Sequence, residues 1–256
     1  MRILVCKNYE EMSKKAAQMI LSQVTLNPNS VLGLATGSTP VGMYNELDNM
    51  YKNNLIDFSD VVTFNLDEYY QLPISNNQSY HYFMHKHLFN HVNIKKENIN
   101  IPNGMVDDVE SECKRYDNLI KNSGGIDIQV LGIGHNAHIG FNEPSMSFEV
   151  GTNLVDLKES TIEANARFFE KIEDVPKKAI TMGIGSIFKA KKIMLLACGE
   201  GKAEAIYNTV YGKVTPEVPS SILQFHDDVI LILDKEAASK LSPRDYKLIY
   251  YNLNLI

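Results

Sequence analysis

The residue types best suited to proton transfer lie in the segment GIGHNAHIGFNEP at 132–144, which follows an apolar run. An imidazole such as that of His138 gains and loses a proton near neutral pH. Asn136 and Glu143 are close to it in the sequence and could fix its tautomer and orientation. A single loop histidine is usually structural, but polar groups packed after a Gly-x-Gly pair favour a catalytic His138.

Two adjacent carboxylates, Asp67 and Glu68, end another largely apolar run, VVTFNLDEYY at 61–70. Successive side chains of a strand point to opposite faces, so only one of the two is expected to face a ligand. A carboxylate in this position is a candidate proton acceptor. The alternative is that the pair caps a helix or a turn.

A candidate anion site follows a third apolar run, which ends in Thr36, Gly37 and Ser38. We expect Thr39 to cap a helix in which Pro40 is the first residue. Backbone N–H groups, hydroxyls and the helix dipole together suit an anion such as phosphate. The spacing of a nucleotide-binding P-loop is missing, and a plain capped turn would use the same residue types.

Two cations complete the set: Arg167 in the segment NARFF at 165–169, and Lys202 in CGEGK at 198–202. An arginine that binds through two nitrogens and a lysine that acts as a point charge suit a phosphate clamp. Either residue alone would more often be a solvated surface cation.

Apolar runs alternate with amphipathic stretches, which predicts an α/β fold: a doubly wound, mostly parallel sheet with helices on both faces. The predicted strands are 2–6, 30–35, 61–66, 126–132, 178–182, 192–197 and 229–233. The predicted helices are 9–24, 40–51, 78–89, 107–121, 201–210 and 235–240. Without repeats or a long linker, 1–256 is expected to form a single domain.

This fold predicts where the chemical residues meet. In open parallel sheets the reactive crevice lies beyond the carboxyl ends of the strands, and the candidate residues follow predicted strands. The least regular stretch, 142–174, is expected to cover the site as a lid or loop.

Composition argues against several classes of protein. The 256 residues include 25 basic and 31 acidic ones, a net charge of −6, so the clustered cations of a nucleic-acid-binding protein are not expected. No apolar stretch approaches the ~20 residues that span a bilayer, and no signal peptide is evident. With three widely spaced cysteines expected to be reduced, we predict a cytoplasmic protein.

Four histidines lie in or just after the helix predicted at 78–89: His81, His85, His87 and His91. Histidines four residues apart can bind zinc. At about 100° per residue, however, the two pairs lie on separate faces, and no Glu follows His81 in the metalloprotease pattern. We therefore predict a polar helix surface and no metal site.

Taken together, these segments resemble the glucosamine-6-phosphate deaminase family. The resemblance covers nearly the whole chain and rests on LATGSTP, VVTFNLDEYY, LGIGHNAHIGFNEP, NARFF and the lysine of GEGK, in this order and spacing. It implies a modified Rossmann-like sheet with a sugar phosphate bound across the strand ends. The implied reaction, in aminosugar catabolism, converts glucosamine 6-phosphate and water to fructose 6-phosphate and ammonia without a cofactor.

The resemblance also implies roles. Asp67 matches the base that drives enolisation, and His138 matches the residue that opens the pyranose ring, with Asn136 and Glu143 in its supporting network. Five residues match or adjoin the family's phosphate site: Thr36, Gly37, Ser38, Arg167 and Lys202.

Asn136 and Ala137 depart from the Asp-Gly pair of many members. Asn136 can still hydrogen-bond His138, but without a negative charge it should stabilise an imidazolium less than Asp would. Ala137 has a more restricted backbone than Gly.

Two alternative functions remain. A 6-phosphogluconolactonase shares the fold, but it hydrolyses an ester and needs no carboxylate placed for enolisation. A sugar-phosphate-sensing repressor needs a DNA-reading module, for which this chain, starting at a core strand, leaves no room. The expected partner is a small sugar phosphate rather than nucleic acid or membrane, and an oligomer is possible but not required.

Overall fold

The computed structural model describes residues 1–167 and 169–248, so Phe168 of the NARFF segment lies outside the described residues. The strands are β1 Arg2–Cys6, β2 Val31–Leu34, β3 Val62–Asn65, β4 Asp67–Tyr69, β5 Ile99–Asn100, β6 Ile128–Leu131, β7 Asn153–Asp156, β8 Lys178–Thr181, β9 Lys192–Ala197, β10 Val229–Asp234 and β11 Lys247–Leu248. The α-helices are α1 Tyr9–Leu26, α2 Ser38–Lys52, α3 Tyr80–Met84, α4 Val109–Asn122, α5 Glu159–Ala166, α6 Ile184–Phe188 and α7 Ala203–Tyr211. A π-helical turn, His85–Phe89, continues α3.

Eight strands form one parallel sheet in the order β11-β1-β10-β9-β6-β2-β3-β5. From β2 the chain winds outward through β3 to β5, then returns to β6 and winds the other way through β9 and β10. The predicted doubly wound α/β fold is confirmed. The winding direction reverses between the adjacent strands β2 and β6, which is where a crevice opens in folds of this kind.

A second, three-stranded antiparallel sheet has the order β4-β8-β7. The strand predicted at 178–182 exists as β8, but it pairs with β4 and β7 instead of joining the parallel sheet. An apolar run shows that a strand is covered on both faces, and it does not show which partners the strand pairs with. This pairing affects the position of a candidate site residue, because it places Asp67 of β4 opposite Thr181 of β8.

The predicted strands at 2–6 and 192–197 have the observed bounds, and the others are within two residues of them. The helix predicted at 235–240 is wrong: these residues form turns, and the Asp234 carboxylate accepts a hydrogen bond from the Ala237 N–H at 2.8 Å. The stretch 142–174 is more regular than predicted, since it contains β7 and α5. Among the described residues, no helix is long and apolar enough to cross a membrane.

Candidate active site

A cavity of about 700 Å³ lies beyond the carboxyl ends of β2, β3 and β6, at the reversal point of the sheet. Eight of the nine predicted site residues line it: Thr36, Gly37, Ser38, Asp67, Asn136, His138, Arg167 and Lys202. The ninth, Glu143, lies behind the wall and contacts the cavity residues Asn136 and His138. The structure therefore brings together residues from 36 to 202 in the chain, as the strand-end argument predicts.

The His138 imidazole has a defined tautomer. Its Nδ1 lies 2.7 Å from Oδ1 of Asn136 and 3.4 Å from Oε2 of Glu143, and its side chain is 22% exposed. A side-chain amide oxygen can only accept a hydrogen bond, so Nδ1 must carry the proton. The basic lone pair of the neutral ring is therefore on Nε2.

Glu143 accepts the hydrogen bond that fixes Asn136, the partner of His138. Its Oε2 accepts a hydrogen bond from Nδ2 of Asn136 at 2.6 Å, and its Oε1 accepts one from the Thr161 hydroxyl. Burial alone would raise the pKa of Glu143, but hydrogen bonds and charge from His138, together with the bonds from Thr161 and Asn136, lower it to about 2. Glu143 is therefore a carboxylate throughout the neutral range and can only accept hydrogen bonds.

The backbone of this loop fits closely around the ring. Gly134 lies against the imidazole: a Cβ added there would be 2.3–2.6 Å from three ring atoms. Ala137 has a φ of 66°, in the left-handed region that glycine adopts at least cost. The departure from Asp-Gly thus puts a strained alanine beside the histidine, but the Asn136 contact to His138 is retained.

The two adjacent carboxylates have different environments. Glu68 accepts hydrogen bonds from three backbone N–H groups, those of Tyr69, Tyr80 and His81, at 2.8–2.9 Å. It therefore binds the first turn of α3, the capping role that the sequence left open for the pair. Asp67 faces the cavity instead, as the alternation of a strand requires.

Asp67 is 6% exposed. Desolvation by burial, and to a smaller extent the negative charge of Glu68, raises the pKa of Asp67 to about 8. A carboxylate with this pKa is poised to gain and lose a proton near neutral pH, which suits a general base.

The candidate anion site starts at Gly37, which has a φ of 95° and is the N-cap of α2. The prediction that Thr39 caps this helix and that Pro40 is its first residue is wrong: α2 begins at Ser38, and no side chain caps it. The positive φ of Gly37 turns the chain two residues earlier than the Pro40 signal indicates. The N-terminus of α2 and the Thr36 to Ser38 segment therefore face the cavity directly.

The two cations reach the cavity from separate elements. Arg167 is the C-cap residue of α5, and Lys202 ends a short 3₁₀ turn after β9. Partial burial lowers the pKa of Lys202, and the positive charge of Arg167 lowers it further, so the two charges are close enough to interact. Two cations held near one another in this way favour a bound anion.

Hydrogen bonds to Asp234 of β10 fix the position of the loop that carries Lys202. Gly199, with a φ of 86°, donates its N–H to both oxygens of Asp234 at 3.0–3.1 Å. Asp234 is buried at the end of β10, so the central sheet sets the position of the loop.

The sequence analysis did not identify Tyr80, Thr161 or Glu163 of the cavity wall, and it assigned no role to His135 of the histidine loop, which also lines the cavity. Thr161 and Asn165 are four residues apart and so share a face of α5. The sequence contains this spacing, but the prediction that 142–174 is irregular does not take it into account.

Three aromatic rings pack together at the cavity wall: Tyr69, Tyr80 and Phe141. Tyr69 packs 4.8 Å from Tyr80 and 5.9 Å from Phe141, measured between ring centroids. The Tyr69 hydroxyl also accepts a hydrogen bond from Asn165 at 3.0 Å, so this aromatic cluster connects the Asp67 strand to α5.

The histidine-rich helix contains two close ring contacts. The rings of His81 and His85 lie 4.5 Å apart, and those of Phe83 and His87 lie 4.4 Å apart. Within residues 1–167 and 169–248, no group of three or more His, Cys, Asp or Glu side chains is arranged to hold a metal ion.

Comparisons with known proteins identify the family to which the chain is similar. The family described as "Glucosamine-6-phosphate isomerases/6-phosphogluconolactonase" matches residues 7–231. A glucosamine-6-phosphate deaminase of Clostridium botulinum (strain Alaska E43 / Type E3) is 71% identical over 249 residues, 97% of this chain and 100% of that protein. One of Clostridioides difficile (strain 630) is 68% identical over 249 residues, with the same coverage of both chains.

The chain is also similar to solved structures of proteins in this family. A monomeric glucosamine-6-phosphate deaminase is 45% identical with a TM-score of 0.91, and the match covers 93% of this chain and 99% of that one. A 6-phosphogluconolactonase from Trypanosoma brucei has a TM-score of 0.76 but is 17% identical, over 94% of this chain and 98% of that one. At that identity the second likeness shows the fold alone.

Proposed function

The chain belongs to the family of glucosamine-6-phosphate isomerases and 6-phosphogluconolactonases, and we propose that it converts glucosamine 6-phosphate and water to fructose 6-phosphate and ammonia. Relatives named for this deaminase activity are 71% and 68% identical over nearly the whole chain. The observation that carries the proposal is the arrangement of the cavity. A buried carboxylate with a raised pKa, Asp67, shares it with an oriented His138 and with two cations suited to phosphate.

The first step we assign to His138. Closed-ring glucosamine 6-phosphate hides its carbonyl, so O1 must lose a proton and O5 must gain one for the ring to open. The Nε2 lone pair of His138 can accept the first proton and return it to O5. Asn136 and Glu143 support this step by keeping the proton on Nδ1 and by fixing the plane of the ring.

The second step we assign to Asp67. Once C1 is an aldehyde, the C2 proton is acidic, and the Asp67 carboxylate can remove it and deliver it to C1. In the same isomerisation O1 gains a proton to become a hydroxyl and the ammonium group loses one, so that C2 becomes an iminium carbon. The resulting iminium at C2 adds water, and ammonia leaves from the carbinolamine to give the C2 ketone. A positively charged amino group on the bound substrate would favour the ionised form of Asp67 that this step needs.

The phosphate we assign to the opposite end of the cavity. The N-terminus of α2 supplies backbone N–H groups and hydroxyls at 36–38, while Arg167 and Lys202 supply the charge. Remote binding energy of this kind positions C1 and C2 between the two proton-transfer groups.

We extend the proposal to the protein as a whole. Residues 1–256 act as one domain in the cytoplasm, and the partner is a small sugar phosphate. An oligomer remains possible under this proposal but is not required by it.

An ammonia-release assay tests the proposal. The protein should release ammonia from glucosamine 6-phosphate, with fructose 6-phosphate as the second product, and should act far more slowly on unphosphorylated glucosamine. Hydrolysis of 6-phosphogluconolactone without ammonia release from the aminosugar phosphate would overturn the proposal in favour of the lactonase.

A further inference from the structure

The helix α5 forms one wall of the cavity. Thr161, Glu163 and Asn165 of this helix line it, and Arg167 caps its C-terminal end. Because one short helix carries both Arg167, which we assign to the phosphate, and other wall residues, its position affects several parts of the cavity wall.

Three hydrogen bonds from or next to α5 reach the catalytic segments. Lys158, which precedes the helix, donates to the carbonyl of Pro144 at 2.7 Å. Asn165 donates to the Tyr69 hydroxyl at 3.0 Å. Between them, the Thr161 hydroxyl donates to Oε1 of Glu143.

The contact made by Thr161 is the most specific of the three. Thr161 is 6% exposed, and its acceptor is the same carboxylate whose other oxygen binds Asn136 and lies 3.4 Å from Nδ1 of His138. With one oxygen held by Thr161, the carboxylate cannot rotate without losing a charge-assisted hydrogen bond in a partly buried position. The orientation of Glu143 in turn orients Asn136 and the imidazole.

We propose that Thr161 is a positioning residue that couples the docking of α5 to the orientation of the His138 imidazole. Phosphate binding at Arg167 holds α5 in place, α5 holds Thr161 against Glu143, and Glu143 orients His138 for ring opening. The inference rests on the proposed function and adds that the phosphate of the substrate raises kcat as well as affinity. Binding energy remote from the reacting atoms would be used to orient a catalytic group.

The first test compares Thr161→Val with Thr161→Ser on glucosamine 6-phosphate. Val has nearly the same shape without the hydroxyl, whereas Ser keeps the hydroxyl. Because a hydrogen bond to a charged group is lost, Thr161→Val should lower kcat at least ~10-fold with KM changed much less. Thr161→Ser should stay within about threefold of wild type. Equal losses in the two variants would overturn the proposal, as would a Val variant with wild-type kcat.

A double-mutant cycle tests whether the effect passes through Glu143. Once Glu143→Gln has weakened the acceptor, adding Thr161→Val should cost little more, since coupled residues are not additive. Losses that multiply would show that Thr161 acts elsewhere. If Thr161→Val fails to fold in thermal unfolding, Thr161→Ala takes its place in both comparisons with the same expected outcomes.

A readout without turnover separates this proposal from the proposed function. The ¹H–¹⁵N signals of the His138 ring should change in Thr161→Val and remain as in wild type in Thr161→Ser. If the wild type releases no ammonia but the ring signals behave in this way, the assigned reaction fails and the positioning role stands. Unchanged ring signals in Thr161→Val in an active enzyme would overturn the positioning role alone.

Discussion

The cavity residues that we assign to proton transfer, called here the proton-transfer end, are built differently from those that we assign to phosphate binding, the phosphate end. At the proton-transfer end, His138, Asn136 and Glu143 form a continuous chain of hydrogen bonds, and Gly134 packs against the ring. At the phosphate end, the groups come from separate elements: the N-terminus of α2, the C-terminus of α5 and the turn after β9. Proton transfer needs one geometry held closely, whereas a dianion can be bound by charges that converge from several directions.

The difference predicts how each end responds to substitution. Changes at the proton-transfer end should lower kcat, since they disturb atoms that act in the transition state. Changes at the phosphate end should act mainly on productive binding and depend on whether the substrate carries a phosphate, and at Arg167 they should also lower kcat through α5. A change at the phosphate end that lowers kcat alone, or one at the proton-transfer end that raises KM alone, would contradict this comparison.

The largest effect is expected at Asp67. Asp67→Asn removes the base for C2 while preserving shape, so kcat should fall at least ~100-fold with substrate binding largely retained. The check is steady-state kinetics together with solvent deuterium incorporation at C1 of the product. Incorporation at the wild-type rate in the variant would remove Asp67 from the mechanism.

Gly134→Ala should be nearly as damaging. The new Cβ would overlap three atoms of the His138 ring, and since the ring is the end of a side chain, it should move while the fold is kept. A displacement on the order of 1 Å can cost ~100-fold in rate.

Gly132→Ala is the matched comparison, because a Cβ there meets no atom within 4 Å. It lines the cavity without touching His138, so its effect should be confined to KM. Steady-state kinetics on both variants provide the measurement, and a wild-type kcat in Gly134→Ala would show that the ring position is not critical.

At the phosphate end, Lys202→Ala and Arg167→Ala should each lower kcat/KM for glucosamine 6-phosphate by tens-fold, the effect of losing a charge-assisted contact worth about 1.5–3 kcal/mol. The loss on unphosphorylated glucosamine should be much smaller. Lys189→Ala removes an exposed cation and is the control. It should leave kcat/KM unchanged on both glucosamine 6-phosphate and glucosamine. Equal losses on both substrates would mean that the two cations stabilise the fold rather than bind the phosphate.

The smallest effect concerns stability. The folded-state pKa of Asp67, about 8, lies above its value of about 3.9 in an unfolded chain. Between these values the folded state holds a proton that the unfolded state has lost, so the contribution of Asp67 to stability falls as pH rises from about 4 to about 8. Asp67→Asn removes this cost and should raise the free energy of unfolding at pH 8 by at least about 1 kcal/mol.

Denaturant unfolding of wild type and Asp67→Asn at pH 5 and pH 8 provides the measurement. The amount by which the free energy of unfolding of Asp67→Asn exceeds that of the wild type should be larger at pH 8 than at pH 5. The exposed Asp107 serves as the control, since Asp107→Asn should show no such growth. An advantage that is the same at both pH values would mean that the pKa of Asp67 is not raised by folding.

Much of the site followed from local sequence. Runs of apolar residues that end in Gly, polar or charged residues marked the strand ends, and a parallel sheet brings strand ends to one edge. This is why Asp67, His138 and Lys202, far apart in the chain, could be expected in one cavity. Residue types alone also predicted proton transfer at one group and phosphate binding at another.

Other properties depended on the packing of distant elements. The sequence did not show that β4 pairs with β8, that Gly37 rather than Thr39 starts α2, or that Thr161 contacts Glu143. Each depends on contacts or backbone angles that no periodicity encodes.

Asp67 and Glu68 show most clearly which properties the sequence determined and which ones the tertiary structure decided. The sequence determined that adjacent carboxylates end a strand and that they point to opposite faces. Only the tertiary structure decided that Glu68 receives three backbone hydrogen bonds while Asp67 is desolvated in the cavity wall, with its pKa raised to about 8. The reason is that desolvation depends on which elements surround a group, and those elements come from other parts of the chain.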